Sequence, residues 1–405
     1  MALAACATDA ARQRLNAQTI EAALYPDLER YVAFGPKRTA SAADHAVSRW
    51  LAQEAASMGA AVQVQPFRVR QFDLQEAALS VAGVSFETLP FWFPRPTQGV
   101  IEARLRPLEE VGEGQIAVAD LPSGIDGLRA MPAAVAAAAR RHAAGLILVT
   151  PTPSGHLFAH GQREACATPT LVVGVRDRIA LVQGAAEGLV ARLTLRGEIL
   201  PEAESVNVIA TMGQGERVIG VSTPTSAWLT SGGERGPGVA LWLALLRRAA
   251  QTTGVRWIFA AVSGHELDAA GGRAFVASPL APATVMAWCH LGASIATRRF
   301  TFGPAFEPIA HEDASGAARL MTNDDALREV LTESFASSAH RPRLAEATES
   351  RGELRLYMER GYPTFGFEGA HAYFHTPADL AQTTSPALLS DVYGRLDRTF
   401  AALGV

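Results

Sequence analysis

Near its C-terminus the chain reads Gly361-Tyr-Pro-Thr-Phe-Gly-Phe-Glu-Gly-Ala-His-Ala-Tyr-Phe-His375-Thr-Pro-Ala-Asp379. An apolar, strand-like run breaks at glycines, and a His-Thr-Pro-x-Asp turn then presents an imidazole. The loop that follows a buried strand is where α/β enzymes place their catalytic groups. The stretch therefore predicts an α/β enzyme with His375 at its active site.

Strand-like and helix-like segments alternate upstream of this stretch. Strands are predicted at 206–211, 217–221, 255–262, 284–290 and 363–367, and helices at 237–250, 269–277, 326–337 and 386–403. Alternation of this kind predicts an α/β fold whose mixed central sheet carries helices on both faces. The N-terminal segment predicts helices at 10–30 and 41–58, with Ser41 as N-cap and Gly59 as stop, before a strand at 61–67.

The middle of the chain, residues 73–203, has a different pattern of predicted strands and helices. Strands are predicted at 115–119, 145–150, 168–173 and 190–195, with an alanine-rich helix at 132–144. A chain of 405 residues is long for one core. We therefore expect 1–72 to form the helices and first strand of the main domain, 73–203 a small α/β insert, and 204–405 the rest of the main domain.

Composition and charge limit which binding partners and which cellular compartment we expect. Net charge is −4 with scattered Lys and Arg, which argues against nucleic acid. No uninterrupted apolar run reaches the ~18 residues of a membrane span. Cys6, Cys166 and Cys289 form no disulfide framework, so we expect a reducing, cytoplasmic location. Leu3-Ala-Ala-Cys6 has the shape of a lipoprotein cleavage box, and a trimmed start would change that expectation to a lipoprotein or secreted protein.

Together with Ser263-Gly-His-Glu266, the C-terminal stretch resembles the zinc aminopeptidase family, which uses a co-catalytic metal pair. The order of elements in 73–203 resembles the protease-associated domain, which some members carry as a lid or contact surface. The resemblance implies five metal-ligand positions and a glutamate base. Two of those ligand positions are lost here: Thr223 stands for the first histidine, with Thr225 for its supporting aspartate, and Gly292 stands for the later aspartate.

Three ligand positions keep a residue that can bind metal. Glu234 stands for the bridging aspartate, Glu266 keeps the ligand of the Glu-Glu pair, and His375 is intact. The resemblance thus implies at most one zinc, held by Glu234, Glu266 and His375, as in glutaminyl cyclases of the same fold. His265 stands for the general base, and its ordinary pKa of about 6.5 suits that role. Glu353 is a candidate acid–base or supporting group.

The sequence identifies candidate substrate-binding residues less specifically than it identifies candidate metal ligands. Arg235, Arg351 and Arg355 are candidates to bind a substrate carboxylate. Thr223 is a further candidate catalytic group, and the other candidate substrate contacts are Ser222, Thr225, Trp228 and His371.

Three functions remain open at this point. The first is a hydrolase or acyl-transfer enzyme that uses one zinc on a small amide or peptide-like substrate. The second is an enzyme without a metal, in which His265, Glu266, His375 and the hydroxyls at 222–226 act in a lyase, isomerase or histidine-based hydrolase reaction. The third is a binding protein without catalysis. A homo-oligomer is possible in each case.

Overall fold

The computed structural model describes residues 2–339 and 342–405, apart from the side chains of 1–17 and of Ile125. Cys6, on which the lipoprotein alternative depends, is among the side chains outside the described part. The described helices are α1 Ala2–Ala33, α2 Ala42–Ser57, α3 Ile125–Arg140, α4 Arg178–Glu187, α5 Gly236–Ala249, α6 Ala270–Val276, α7 Asp325–Phe335, α8 Leu354–Glu359 and α9 Pro386–Ala402.

The strands, numbered along the chain, divide into two groups. The first group, up to Met212, consists of β1 Ala61–Val81, β2 Val84–Phe86, β3 Leu89–Pro90, β4 Ile101–Pro107, β5 Ile116–Asp120, β6 Gly145–Thr150, β7 Thr170–Gly174 and β8 Val190–Met212. The second group is β9 Val218–Pro224, β10 Arg256–Val262, β11 Ala287–His290, β12 Arg298–Phe302, β13 Pro308–Ala314, β14 Arg319–Thr322, β15 Arg343–Glu346 and β16 Thr364–Glu368.

A mixed sheet forms the centre of the molecule, as the sequence predicts. Its order in the body is β1-β8-β10-β9-β11-β16-β14-β15, in which β10, β9, β11 and β16 run parallel to one another. Helices α1, α2, α5, α7 and α9 pack on one face, and α6 and α8 pack on the other. Since carboxyl ends of parallel strands lie at one edge, this arrangement gathers the loops that follow β9, β10, β11 and β16.

Strands β1 and β8 are much longer than the sequence predicts. They pair antiparallel from Ala61↔Thr211 to Val81↔Ala191, with irregularities between Val69 and Gln71 and between Leu74 and Glu76. The far end of this ribbon joins β4, β5, β6, β7 and β3, which form their own apolar cores with α3 and α4. The same two strands therefore carry the chain out of the main body and back, and the division at 72/73 and 203/204 stays a prediction.

Local signals explain where the first helices begin and end. The Ser41 side chain accepts a hydrogen bond from the Asp44 backbone N–H, which confirms the predicted N-cap of α2. Gly59 follows this helix with a φ of +87°, which only glycine adopts without strain. Helix α3 differs from the prediction because it begins at Ile125, so Pro132 lies inside the helix rather than at its start.

Candidate active site

The loops at the carboxyl edge of the sheet surround a cavity of about 570 Å³. It is called the arginine-lined cavity below, and the charged and imidazole side chains in its wall are those of Arg235, Arg319, Arg351, His160, His265, His290, Glu353 and Glu368. Arg235 lies at the start of α5, His265 follows β10, and His290 ends β11. The fold therefore brings together four of the residues that the sequence singles out as site residues: Arg235, His265, Arg351 and Glu353.

A buried ion pair lies beneath the floor of this cavity. Glu234 is 1% exposed and Arg235 is 2% exposed, and their side chains approach to 2.9 Å. The same carboxylate oxygen lies 3.3 Å from Nε2 of His375. Burial disfavours the charged carboxylate, but Arg235 and His375 outweigh burial and hold the pKa of Glu234 well below its usual value. Glu234 is therefore ionised at neutral pH, and Arg235 supplies its counter-charge.

Arg235 keeps hydrogen-bond donors that the protein leaves unused. Its Nε and Nη1 atoms are buried and find no hydrogen-bond acceptor in the described part of the chain. Buried donors are costly to leave unpaired, so such groups mark places where a ligand or water binds. Arg235 itself lines the arginine-lined cavity, so these enclosed donors lie beside the space that a guest would occupy.

The C-terminal turn fixes the position of Glu234. Asp379 accepts hydrogen bonds from the backbone N–H groups of Gly233 at 2.6 Å and of Glu234 at 3.0 Å. A β-carbon at Gly233 would collide with the Thr383 hydroxyl, so only glycine fits there. The aspartate of the His375-Thr-Pro-x-Asp motif thus holds the loop before α5, while its histidine contacts the Glu234 carboxylate.

His265 and Glu353 form a second pair in the cavity wall. Nδ1 of His265 lies 3.0 Å from a carboxylate oxygen of Glu353, whose side chain is fully buried, while the imidazole is 27% exposed. Burial raises the pKa of Glu353 to about 7. Burial also lowers the pKa of His265, and the charge of Arg235 lowers it further. At neutral pH His265 is therefore a neutral base whose Nε2 is free of hydrogen bonds from the described residues.

Two further histidines face the same space. His290 is buried, and its Nδ1 lies 2.9 Å from the Ser222 hydroxyl. Burial lowers the pKa of His290 to about 4, and burial with a nearby His375 lowers that of His160 to about 4. Both rings are neutral at pH 7. The fixed positive charges in the wall are therefore those of Arg235, Arg319 and Arg351.

The residues present do not fit the predicted zinc ion. Both oxygens of Glu266 are engaged, one by the backbone and hydroxyl of Thr39 and the other by the Ser226 hydroxyl at 2.7 Å. The Glu234 oxygen nearest His375 is paired with the permanent cation of Arg235. Among the side chains that the structure describes, no three of His, Cys, Asp or Glu form a group that could hold a metal. Glu234 and His375 lie 3.3 Å apart, but Glu266 does not complete a ligand set with them, and their assignment as metal ligands stays a prediction.

The two lost ligand positions are now occupied by other contacts. The Thr223 hydroxyl donates to the Leu291 carbonyl at 2.9 Å, and it lies beside Gly238, where an added β-carbon would come within 2.7 Å of it. At Gly292 any β-carbon would collide with the Phe367 carbonyl oxygen. These positions therefore have no room for the longer ligand side chains that the resemblance implies.

The other predicted site residues lie outside the arginine-lined cavity. Trp228 and Glu266 line a separate pocket of about 410 Å³, where Trp228 packs against Trp92 at 4.9 Å between ring centroids. The Thr225 hydroxyl donates to the Val262 carbonyl at 3.2 Å. Arg355 lies exposed on α8 and pairs with Glu359.

Two of the predicted substrate contacts are enclosed by the protein. Ser222 is fully buried between His290 and the Trp288 indole N–H. His371 uses both ring nitrogens, one with Ser294 at 3.0 Å and one with Asp379 at 3.1 Å. Their roles as substrate contacts stay predictions that this geometry does not favour.

Sequence reasoning passed over Lys37, which is the only lysine of the chain. It is fully buried, donates to the Thr230 carbonyl at 2.7 Å and lies 4.0 Å from the centroid of the Tyr31 ring. Burial lowers the pKa of Lys37 to about 7, although Asp379 and Glu234 act against that shift. The signal was available in the sequence, since a lone lysine among many arginines suggests a special site.

A second, apolar cavity of about 590 Å³ adjoins the first. It is called the apolar cavity below and lies between the middle segment, which provides Leu121, Leu128, Met131 and Phe158, and the loop after β16, which provides Ala370, Ala372 and Phe374. Ala370 and Phe374 line both cavities. The backbone N–H of Ala159 donates to the His375 carbonyl at 2.8 Å, which ties the middle segment to the active-site loop.

Solved structures similar to this chain share its whole architecture. The zinc aminopeptidase BSAP from Bacillus subtilis matches with a TM-score of 0.73 at 16% identity, over 95% of this chain and 94% of that one. A peptidase M28 precursor from Shewanella amazonensis matches with a TM-score of 0.74 at 17% identity, over 96% and 94%. The fold is that of the zinc aminopeptidases.

Glutaminyl cyclase from Porphyromonas gingivalis also matches, with a TM-score of 0.51 at 12% identity over 95% of this chain and 98% of that one. Neither a protein-family model nor a curated protein matches the sequence. At such identities the likeness concerns the zinc aminopeptidase fold, and the reaction must be argued from the side chains of this chain. In the part of the chain that the structure describes, no helix has the length and apolar character to cross a membrane.

Proposed function

We propose that this protein is a hydrolase, or an acyl-transfer enzyme, that acts on an amide bond with its own side chains in the arginine-lined cavity. One observation carries the proposal. The His265–Glu353 pair and Arg235, which keeps two unpaired N–H donor atoms, line the same cavity. A base and an oxyanion-binding group are what amide cleavage requires. The proposal keeps the predicted reaction class and takes the second, metal-independent form of it.

His265 is the general base in this scheme. Glu353 holds Nδ1 of the imidazole, so Nε2 is the nitrogen that meets water or substrate. When Nε2 takes a proton, the ionised form of Glu353 stabilises the imidazolium, as the carboxylate of a catalytic triad does. The same proton then passes to the leaving nitrogen. Glu353 is therefore a positioning residue, and it acts through His265.

Arg235 stabilises the charge that develops on the carbonyl oxygen. Its guanidinium is held by Glu234, and the buried setting makes its free donors stronger than they would be in water. Water is the attacking group, because no Ser, Thr or Cys is among the described residues that line the cavity. In an acyl transfer, an amine of the substrate takes the place of water.

The middle segment has a role in this proposal. We assign it as a protease-associated-like insert that covers one side of the site, since His160 lines the arginine-lined cavity and Ala159 contacts the loop that carries His375. The substrate is then a small amide that enters between insert and body.

Turnover of an amide panel tests the proposal, with metal content measured on the same sample. We expect His265→Ala to lower kcat about 100- to 10,000-fold, the usual contribution of a general base. Glu353→Gln should lower kcat and leave KM unchanged, because Glu353 does not touch the substrate. His142→Ala is the matched control, since His142 is exposed and lies outside the cavity.

Two outcomes would overturn the proposal. Full turnover by the His265→Ala variant would show that His265 is not the general base. Thermal stabilisation by amides with no turnover would favour the third reading, a binding protein.

A further inference from the structure

The two cavities meet at a shared wall, and they differ sharply in chemistry. The apolar cavity is lined by hydrocarbon from Leu128, Met131 and Phe158, whereas the arginine-lined cavity carries Arg319 and Arg351. Volumes of about 590 and 570 Å³ both fall in the range of small-molecule sites, which is about 300–1,000 Å³. A single ligand that spans them must be apolar at one end and anionic at the other.

A chain of contacts links Arg235, one of the proposed reacting groups, to the wall that the two cavities share. The Phe374 ring, which lines both cavities, stacks on His375 with ring centroids 4.0 Å apart. His375 contacts Glu234, and Glu234 holds Arg235. The oxyanion-binding group is thus connected to the wall where the cavities meet, so an amide bond placed near that wall would join the apolar and the anionic halves of the ligand.

The anionic half has a defined place to bind. Arg319 lies 3.8 Å from Glu368 and 3.9 Å from Glu349, distances too long for direct hydrogen bonds, and its side chain is 31% exposed. Glu368 is already occupied by the Ser350 hydroxyl and the Gly352 backbone N–H. Hydrogen bonds leave the charge of Glu368 in place, so Glu349 and Glu368 offset Arg319. The exposed Arg351 forms no ion pair with the described residues, so it is the cation in the wall that is free to bind a substrate carboxylate through two parallel hydrogen bonds, with Arg319 beside it.

We propose that the substrate is an amino acid N-acylated by a long apolar chain, with its acyl chain in the apolar cavity and its carboxylate at Arg319 and Arg351. This inference rests on the proposed function, because it uses the same amide-cleaving groups. Water adds its oxygen to the acyl carbon as the C–N bond breaks. The proton that His265 takes from water ends on the amino nitrogen, and the products are a fatty acid and a free amino acid.

A chain-length series tests this substrate class. We compare N-dodecanoylglycine, N-acetylglycine and the uncharged N-dodecanoylglycinamide, each below its critical micelle concentration. Each CH₂ buried in the apolar cavity should raise kcat/KM roughly fourfold. The dodecanoyl chain carries ten more CH₂ groups than acetyl, and burial of only four of them multiplies kcat/KM about 250-fold, so N-dodecanoylglycine is expected to exceed N-acetylglycine by at least about a hundredfold. It should also exceed the uncharged amide, and Arg351→Met should reduce that preference.

Variants of residues that line the apolar cavity test whether the acyl chain binds there. Ala372→Trp, which fills the cavity from the body, and Leu128→Glu, which places a charge in its wall, should each lower the ratio of kcat/KM for N-dodecanoylglycine to that for N-acetylglycine about tenfold or more. The matched control is Ile179→Glu, because Ile179 is 69% exposed on α4 of the same segment and lines neither cavity.

Binding measured by calorimetry separates this inference from the proposed function. If N-dodecanoylglycine binds more tightly than N-acetylglycine and Ala372→Trp weakens only the longer ligand, the substrate class stands even where no turnover occurs. If both ligands bind equally or neither binds, the inference is overturned, whatever the activity of the enzyme on other amides.

Discussion

The Glu234–Arg235 pair allows a quantitative test of how the site is held together. The two side chains are almost fully buried and 2.9 Å apart. At an effective dielectric constant of about 20, two unit charges at this distance attract by about 6 kcal/mol. Desolvation offsets part of that energy, and removal of one partner from such a pair costs about 3–5 kcal/mol, because the other charge is left buried alone. We expect Glu234→Gln and Arg235→Met each to lose this amount.

The double variant gives the sharper result. Glu234→Gln with Arg235→Met removes both charges, so we expect it to recover most of the stability that either single change loses. The coupling is measured as a double-mutant cycle from urea unfolding followed by tryptophan fluorescence at pH 7. A matched control is Arg355→Met, whose pair with Glu359 is 3.2 Å long but about half exposed. That change should cost about 0.2–1 kcal/mol.

Two outcomes would refute this reasoning. Single variants that each lose less than about 1 kcal/mol would show that the pair is not desolvated. Additive losses in the double variant would show that Arg235 does not supply the counter-charge of Glu234, and the assignment of Arg235 as the cation of the site would fall with it.

Three further predictions concern the surroundings of the site. The Nζ of Lys37, observed by NMR with ¹⁵N-lysine as a single signal, should titrate near pH 7 rather than near 10. The folded protein holds this proton less tightly than the unfolded chain, so the stability of wild type relative to Lys37→Met should rise as the pH is raised from about 7 to about 10. A stability difference that does not change with pH would contradict this prediction. Gly292→Ala should lower the melting temperature, since its β-carbon would collide with the Phe367 carbonyl, and an unchanged melting temperature would show that the loop yields. Ser41→Ala should cost about 1 kcal/mol in urea unfolding through loss of the N-cap, and a loss below about 0.3 would count against that role.

Much of the fold could be predicted from the sequence because its signals are local. The strand 145–150 has the predicted limits, β10 and α9 differ from the prediction by one residue at one end, and α5 differs by one residue at each end. The long ribbon of β1 and β8 was missed beyond its ends, because exposed polar residues interrupt its pattern and its length depends on pairing with a distant strand.

The site was predicted in part, and the misses have a physical cause. The motif around His375 and the match at Glu234 predicted that these two side chains converge, and the structure has Nε2 of His375 3.3 Å from the Glu234 carboxylate, while their role as metal ligands stays a prediction. The role of Arg235 was missed because a Glu–Arg sequence at a helix start has an ordinary explanation in helix electrostatics. Only burial distinguishes the two readings. Asp379 was likewise visible in the motif, but its hydrogen bonds to 233–234 depend on contacts across 145 or more residues.

The central claim is that Arg235 supplies the cationic charge of this site and that the protein's own side chains do the chemistry. It is tested most directly by turnover of N-dodecanoylglycine before and after treatment with 1,10-phenanthroline, with elemental analysis of the same sample. The account predicts no stoichiometric zinc and an unchanged rate. Zinc at one ion per chain, with activity that is lost on chelation and restored by added zinc, would contradict it.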